Sequence, residues 1–415
     1  MREMKDSGIQ WIGKIPKNWD VRPIKNSFSI VSGSTPDSDK AEYWEGGIPW
    51  ITPADFKTID KYTSGGSRFI TEKGYDSCST NMIPKGSIIF SKRAPIGSVV
   101  INKIDLCTNQ GCLSCIKNDK TDSTYFYYLM SIYDDVFNLF GSGTTFKEIS
   151  ATTFGDFILP LPPLVEQQLV SSFLDSKCAE IDALTADIQK EIEMLQEYRK
   201  SVITEAVTKG LDPNAEMKES GIEWIGDIPR HWTTIKLKNT HDGMNVGESI
   251  DKEYWEESDG DIVFYTAGLN PITTTYRHFP PEKYTRDNDL LLARNGTPYV
   301  YLPIENSVYT DHIIRVKIKD GYSKKYIMYC LQRSINAEIV DTVSIATWSS
   351  SIWNRQCFPL PSYEEQIVIA SYLDSKCSEI DSLISDKQKQ LETLAEYRKS
   401  LIYEYVTGKK EVPTT

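Results

Sequence analysis

The sequence predicts an α+β fold built twice, as a tandem of two units that each close with a long helix. Three observations carry this. Residues 173–209 and 372–408 are near copies at a constant offset of 199, with apolar residues every three or four positions and charges between them. Residues 4–26 return as 217–239, so the repeat has a second border at the start of each unit. Between these borders lie short β-like runs and one or two helical stretches, the pattern of an α+β domain.

The first globular domain is expected over 1–162. It opens with Trp11-Ile12-Gly13, Ile15-Pro16 and Trp19, a turn packed by aromatics whose tryptophans read as local core. β-like runs follow at 87–101, then a helix at 123–140 and a glycine-rich loop at 141–146. Prolines at 160, 162 and 163 precede Glu166-Gln167, which marks a strand passing into a helix with an acid in its first turn. The first long helix is placed at 163–210. A Gly/Asp-Pro/Asn linker at 209–217 leads into a second domain at 211–363. There Trp224-Ile225-Gly226, Ile228-Pro229 and Trp232 repeat the opening, runs at 261–269, 289–304 and 307–318 read as strands, and 324–340 as a helix. Pro359 and Pro361 then precede Glu365-Gln366 and a second long helix at 364–410, leaving 411–415 as a tail. A helix of about 35 residues reaches about 50 Å, which makes a spacer rather than a pocket. The stripe suggests a coiled-coil seam through Ile181, Leu184 and Leu195 on one helix and Ile380, Leu383 and Leu394 on the other.

The chain is 415 residues long and carries a net charge of −12, which gives a nucleic-acid partner no direct support. The location of that charge softens the objection. Residues 163–210 hold nine acids against five bases, and 364–410 nine against seven, so half of the excess lies on the long helices. Residues 1–162 are balanced, with 18 of each. No apolar run is long enough to span a bilayer, the N-terminus lacks a signal-peptide core, and eight cysteines in so long a chain are no disulfide framework. A reducing cytoplasm is the expected compartment.

Catalytic signatures are missing. Asn270-Pro271-Ile272-Thr273 lacks the second proline and the aromatic of an amino-methyltransferase loop, and no Gly-x4-Gly-Lys-Ser/Thr cradle for phosphates occurs. Cys112-x-x-Cys115, with Cys107 nearby, has no second pair at zinc spacing, so these cysteines read as small buried hydrophobes and no metal is expected. The four histidines show no relay partner in sequence. A binding or scaffolding role follows, with no catalytic residue and no cofactor in this chain.

Taken together, the twofold frame resembles the DNA-sequence specificity (S) subunit of type I restriction–modification systems, over nearly the whole chain. Supporting motifs are Gly33-Ser34-Thr35-Pro36, Ile48-Pro49-Trp50, Lys92 to Gly97, Asn109-Gln110-Gly111 and Gly143-Thr144-Thr145-Phe146, with Ala293 to Thr297 and Tyr309 to His312 as counterparts in the second domain. The resemblance implies two target recognition domains reading the halves of a bipartite, asymmetric double-stranded DNA target. It implies that the long helices pair antiparallel and set the gap between half-sites. It further implies two methyltransferase (modification) subunits and restriction/translocase subunits as partners, which would bind the methyl donor and ATP. Within it, forked or amide side chains read bases while Lys and hydroxyls position phosphates. The candidates are Lys92, Arg93, Gln110, Thr144, Thr145 and Lys147 in the first domain, and Arg294, Asn295, Thr297, Tyr309 and His312 in the second. The loop at 141–146 has no clean counterpart in the second domain, where 343–351 stands. Two other readings compete: a coiled-coil adaptor with two protein-binding heads, and a self-sufficient DNA-modifying enzyme.

Overall fold

The structure, a computed structural model, describes residues 2–58, 61–93, 95–142, 147–256, 259–338 and 347–413. The chain divides into two compact units, Met1–Ile188 with Lys389–Thr415, and Gln189–Gln388. The division cuts through both long helices, so each unit holds one globular domain and a stretch of each helix. Those helices run Leu164–Lys209 and Tyr363–Val406, starting within a residue of the expected places. Glu166 lies in the first turn of one, Glu364 and Glu365 in that of the other, where the helix dipole favours acids.

In the first unit, a five-stranded sheet among the described residues runs in the order Phe28–Ser32, Cys112–Lys117, Ile88–Ser91, Val99–Asn102, Tyr62–Thr63. A smaller sheet orders Cys107–Thr108, Trp44–Ile51 and Arg68–Ile70. Cys112 and Cys115 sit three apart on one strand, so they point to opposite faces and enter different apolar clusters; Cys107 enters a third. Burial pushes the Cys107 thiol up to about 11 and the other two further. The second unit repeats the plan with less sequence in common. His241–Val246, Ile313–Ile318, Asp289–Ala293 and Val300–Tyr301 form one sheet, and Val308–Tyr309 pairs parallel with Ile262–Tyr265 in another.

What the two units share most closely is their grip on the long helices. The proline segments are strands: Ile158–Leu161 pairs with Asp20–Pro23, and Cys357–Leu360 with Thr233–Lys236. Trp19 Nε1 donates to Glu166 at 2.8 Å, and Trp232 Nε1 to Glu365 at 3.2 Å, so the repeated tryptophans and the repeated acids are one device. Arg2 adds an ion pair to Glu166; His231 Nε2 lies 2.9 Å from Glu365. Gln167 accepts from the Asp122 N–H at 2.8 Å and donates to the carbonyls of Lys120 and Pro162. Gln366 accepts from the Ser323 N–H at 2.9 Å and donates to the Pro361 carbonyl. Tyr125 donates to the carbonyl of Val406 at 2.7 Å, and Tyr326 shares its hydroxyl between those of Val207 and Pro359. Val406 and Val207 stand in the last turns of their helices, where carbonyls lack an intrahelical partner.

The helix stretches pair antiparallel within each unit, since residue numbers rise on one as they fall on the other. Phe173 packs on Tyr405 at 4.4 Å and Asp182 pairs with Arg398 at 3.3 Å in the first unit. Glu191 pairs with Lys387 at 2.5 Å and Arg199 with Asp381 at 3.1 Å in the second. Ile181 is buried with Leu401, Ile402 and Tyr405, and Ile380 with Val202, Ile203 and Ala206; Leu394 and Leu195 are half-buried. Cys178 and Cys377 are buried beside the same stripes.

Leu184 and Leu383 correct the expected seam, for they are 47% and 51% exposed. Around this point the buried apolar residues of the first helix are Leu174, Cys178, Ile181, Ile188 and Ile192. A second step of three after Cys178–Ile181 turns a side chain roughly 120° away from Cys178, out of a two-helix seam. Among the described residues, no helix is long and apolar enough to cross a membrane, and no three potential ligands gather for a metal ion.

Candidate nucleic-acid interface

In the first unit the candidates gather where the central strands end. Ile88–Ser91 delivers Lys92 and Arg93, and the Lys92 N–H donates to the Gly111 carbonyl at 3.0 Å, which brings the Asn109-Gln110-Gly111 turn alongside. Gln110 is exposed, and its side-chain oxygen accepts from the Thr35 hydroxyl. Thr35 comes in because Gly33 lies against Thr108: a Cβ on Gly33 would sit 2.0 Å from the Thr108 oxygen. The third element is the returning segment 147–150, whose Ile149 N–H donates to the Lys92 carbonyl at 3.0 Å. It supplies exposed Lys147 and the half-buried Glu148. The Glu148 carboxylate takes Lys92 Nζ at 2.9 Å on one oxygen and Arg93 Nε at 2.7 Å on the other. Burial works to raise this carboxyl's pKa, but the two cations outweigh it and hold it below the usual range. Thr144 and Thr145 lie outside the described residues.

The second unit builds the same frame from other side chains. Asp289–Ala293 delivers Arg294, whose N–H donates to the His312 carbonyl at 2.8 Å, as Lys92 does to Gly111. The Trp348 N–H reaches the Arg294 carbonyl at 2.6 Å, as Ile149 does that of Lys92. Ser150 and Ser349 then cap the next short helices alike. Residues 347–349 are therefore the backbone counterpart of 148–150; residues 143–146 and 339–346, on which the expected mismatch of the 141–146 loop falls, lie outside the described residues. Gly247 repeats Gly33, with a Cβ placed 2.0 Å from the Tyr309 oxygen. At the tip, Asn295 Nδ2 lies 2.7 Å from Nδ1 of exposed His312. Thr297 is exposed and borders a cleft of about 380 Å³ with Arg199, Lys200 and Arg333.

Tyr309 does not belong to this surface. It is fully buried in the strand Val308–Tyr309, its hydroxyl has no partner among the described residues, and burial pushes its pKa up to about 12. Past the strand end Thr310 is still buried, Asp311 is half-buried and His312 is exposed, and Tyr309 supports this turn by backbone, accepting from the Glu248 N–H at 3.0 Å. Glu148 is not among the residues the sequence marks as candidates. It directly follows Lys147, and nothing in its sequence neighbourhood marks it as the partner of Lys92 and Arg93, 55 or more residues earlier.

Two α+β units, each locked by one Trp–Glu and Gln device to stretches of two long antiparallel helices, define a tandem, twice-built class of protein. Residues 16–194 match the sequence profile of the type I restriction modification DNA specificity domain. The chain is 28% identical to the type I restriction enzyme MjaIX specificity subunit of Methanocaldococcus jannaschii, covering 97% of this chain and 95% of that protein. It is 29% identical to the EcoR124I/EcoR124II specificity subunit of Escherichia coli over about half of each, 48% and 49%. The fold matches a chain from a structure on complex assembly and conformational transition of the type I R-M system (TM-score 0.74, 14% identity, 95% of this chain and 99% of that one). It also matches the HsdS subunit of Thermoanaerobacter tengcongensis, with a TM-score of 0.52 at 14% identity over 95% and 98%. Over nearly its whole length the chain is thus similar to specificity subunits of type I restriction–modification systems.

Proposed function

We propose that this chain reads a bipartite, asymmetric sequence in double-stranded DNA, one half with each unit, and directs partner subunits to it without a catalytic centre of its own. One observation supports the reading: the units repeat the same backbone bonds at the tip yet carry different side chains there. Lys92, Arg93 and Gln110 occupy in one unit the places of Arg294, Asn295 and Asp311 in the other. Identical frames with unlike donors and acceptors select unlike bases, because base edges differ in their donor and acceptor patterns. Cationic and hydroxyl groups at the rim, Lys147 and Thr297 among them, would set the register on phosphates.

Partners would meet the outward faces of the long helices. Leu169 and Val368, Leu184 and Leu383, and Tyr198 and Tyr397 are exposed at places 199 residues apart. Apolar positions kept twice and left uncovered suit two copies of one partner, and two methyltransferase subunits fit that count. Restriction/translocase subunits would join them, the methyl donor and ATP would be bound by these partners, and the cytoplasm is the fitting compartment.

Genome-wide mapping of methylated bases in a host carrying this chain with its methyltransferase subunits tests the reading. Two unlike half-sites across a fixed unspecified gap are expected. A palindromic motif, or no new methylation with the partners expressed, overturns it.

A further inference from the structure

At the tip of the first unit Glu148 neutralises two of its candidate DNA contacts together. We propose that Glu148 is a specificity-determining residue: its carboxylate holds the place of a DNA phosphate on Lys92 and Arg93, and only a target that completes its base contacts displaces it. The proposal rests on the DNA-reading function above.

The geometry is that of an anion site already filled. Each cation donates to a different oxygen of one carboxylate, at 2.9 and 2.7 Å, the arrangement a phosphate with two free oxygens would adopt. The Lys92 side chain is only 14% exposed, so its charge is directed at Glu148 rather than spread into solvent. The carboxylate is also fixed by its own backbone. The Glu148 N–H and carbonyl both bond Ser142, at 2.9 Å each, and the next N–H bonds the Lys92 carbonyl. Bridges from Arg93 and Ser142 both end on Glu148.

An anion held this way sets a threshold. For an arbitrary duplex, exchanging carboxylate for phosphate replaces one charge-assisted pair by another and gains little. The cations are already neutralised, so such a duplex also loses the counterion release that drives unspecific binding. A target adds base contacts that reward the closer approach, and the exchange then proceeds. Among the described residues the second unit shows no such lock. Thr347 takes the bridging place opposite Asn295, and among the described residues Arg294 makes no ion pair. Discrimination against non-target DNA is therefore concentrated in the first unit.

The test uses the complete chain assembled with its methyltransferase subunits, comparing a duplex carrying the mapped target with one lacking it across a salt series. Glu148→Gln keeps the shape and removes the charge. Its non-target affinity is expected to rise about tenfold and its non-target salt slope to steepen by about one to two, while target affinity changes less than about threefold. The specificity ratio then falls. An unchanged or higher ratio overturns the proposal, as does weaker binding to both duplexes, which is what a purely structural clip produces. On a Lys92→Gln/Arg93→Gln background, Glu148→Gln should have no effect on either duplex; a persisting effect also overturns it. Should Glu148→Gln fail to fold, the Lys92→Gln/Arg93→Gln chain decides alone: target affinity must fall while non-target affinity holds, and an equal fall refutes. A wild-type complex with no preference for any sequence removes the function itself. A preference that is indifferent to Glu148 removes only this inference.

Discussion

The two units agree where they hold the helices and differ where their strands end. At the base, Trp19, Glu166, Gln167 and Tyr125 do in one unit what Trp232, Glu365, Gln366 and Tyr326 do in the other. At the tip, a carboxylate clamped by two cations stands where the other unit has a threonine backbone and an Asn–His pair. A repeated base fixes where each head stands, and a divergent tip lets each head recognise something of its own. Substitutions at the base should therefore act alike in both units, and substitutions at the tip should not.

The largest matched effect is expected at Gly33 and Gly247. A Cβ there would lie 2.0 Å from the backbone oxygen of Thr108 or Tyr309, and backbone cannot step aside as a side chain does. Gly33→Ala and Gly247→Ala should each destabilise their own unit by about 3 kcal/mol, the upper end for overpacking. Hydrogen exchange in the strands Phe28–Ser32 and His241–Val246 would report the two losses separately. A large loss in one unit beside a negligible one in the other breaks the equivalence of the two frames.

These glycines show how far the sequence could be read. Both precede a short polar run, and Gly33 was noticed as part of a motif, but nothing in sequence says which oxygen it must approach. The long helices were legible because a 3.6-residue period survives over 40 positions. Their seam was only partly legible, since an apolar stripe records every burial a helix undergoes in any assembly. Leu184 and Leu383 fit the stripe and still face outward. The repeated Trp-Ile-Gly-x-Ile-Pro and Glu-Gln motifs were visible as two signals, and their meeting as one hydrogen-bonded device depends on tertiary proximity. Tyr309 departs from its expected place for a related reason. A tyrosine next to a reading turn looks like a contact, yet the parallel pairing of Val308–Tyr309 with Phe264–Tyr265 puts its ring in the core.

A middle-sized effect separates the two bases by acid. Burial tends to raise the Glu365 pKa, but hydrogen bonds from His231, Trp232 and Ser362 outweigh it and leave the carboxyl below its ordinary 4.5. A depressed acid stabilises the fold above the unfolded-state value, and that stability drains away as pH falls through the folded value. Protection of the second unit should therefore decline below about pH 4.5, and Glu365→Gln should flatten that decline while lowering stability at neutral pH. An acid limb of the same steepness in Glu365→Gln would show that the His231–Glu365–Trp232 contact does not govern it.

The smallest effect is the most demanding test of symmetry. Arg199–Asp381 and Arg398–Asp182 are the same ion pair seen from the two units, since each partner in one stands 199 residues from its counterpart in the other. Distances of 3.1 and 3.3 Å invite the reading of two firm hydrogen bonds. Yet both Nε hydrogens are buried with no oxygen in line, so the attraction is Coulombic and not aligned. The carboxylates are more than half exposed, which screens it further. Double-mutant cycles with Arg→Gln and Asp→Asn should return couplings of about 0.2–0.5 kcal/mol, equal in the two units within error. A coupling above about 1 kcal/mol in either unit would mean that the guanidinium swings into line in solution, and a difference between the units would place the first departure from twofold symmetry in the helices rather than in the tips.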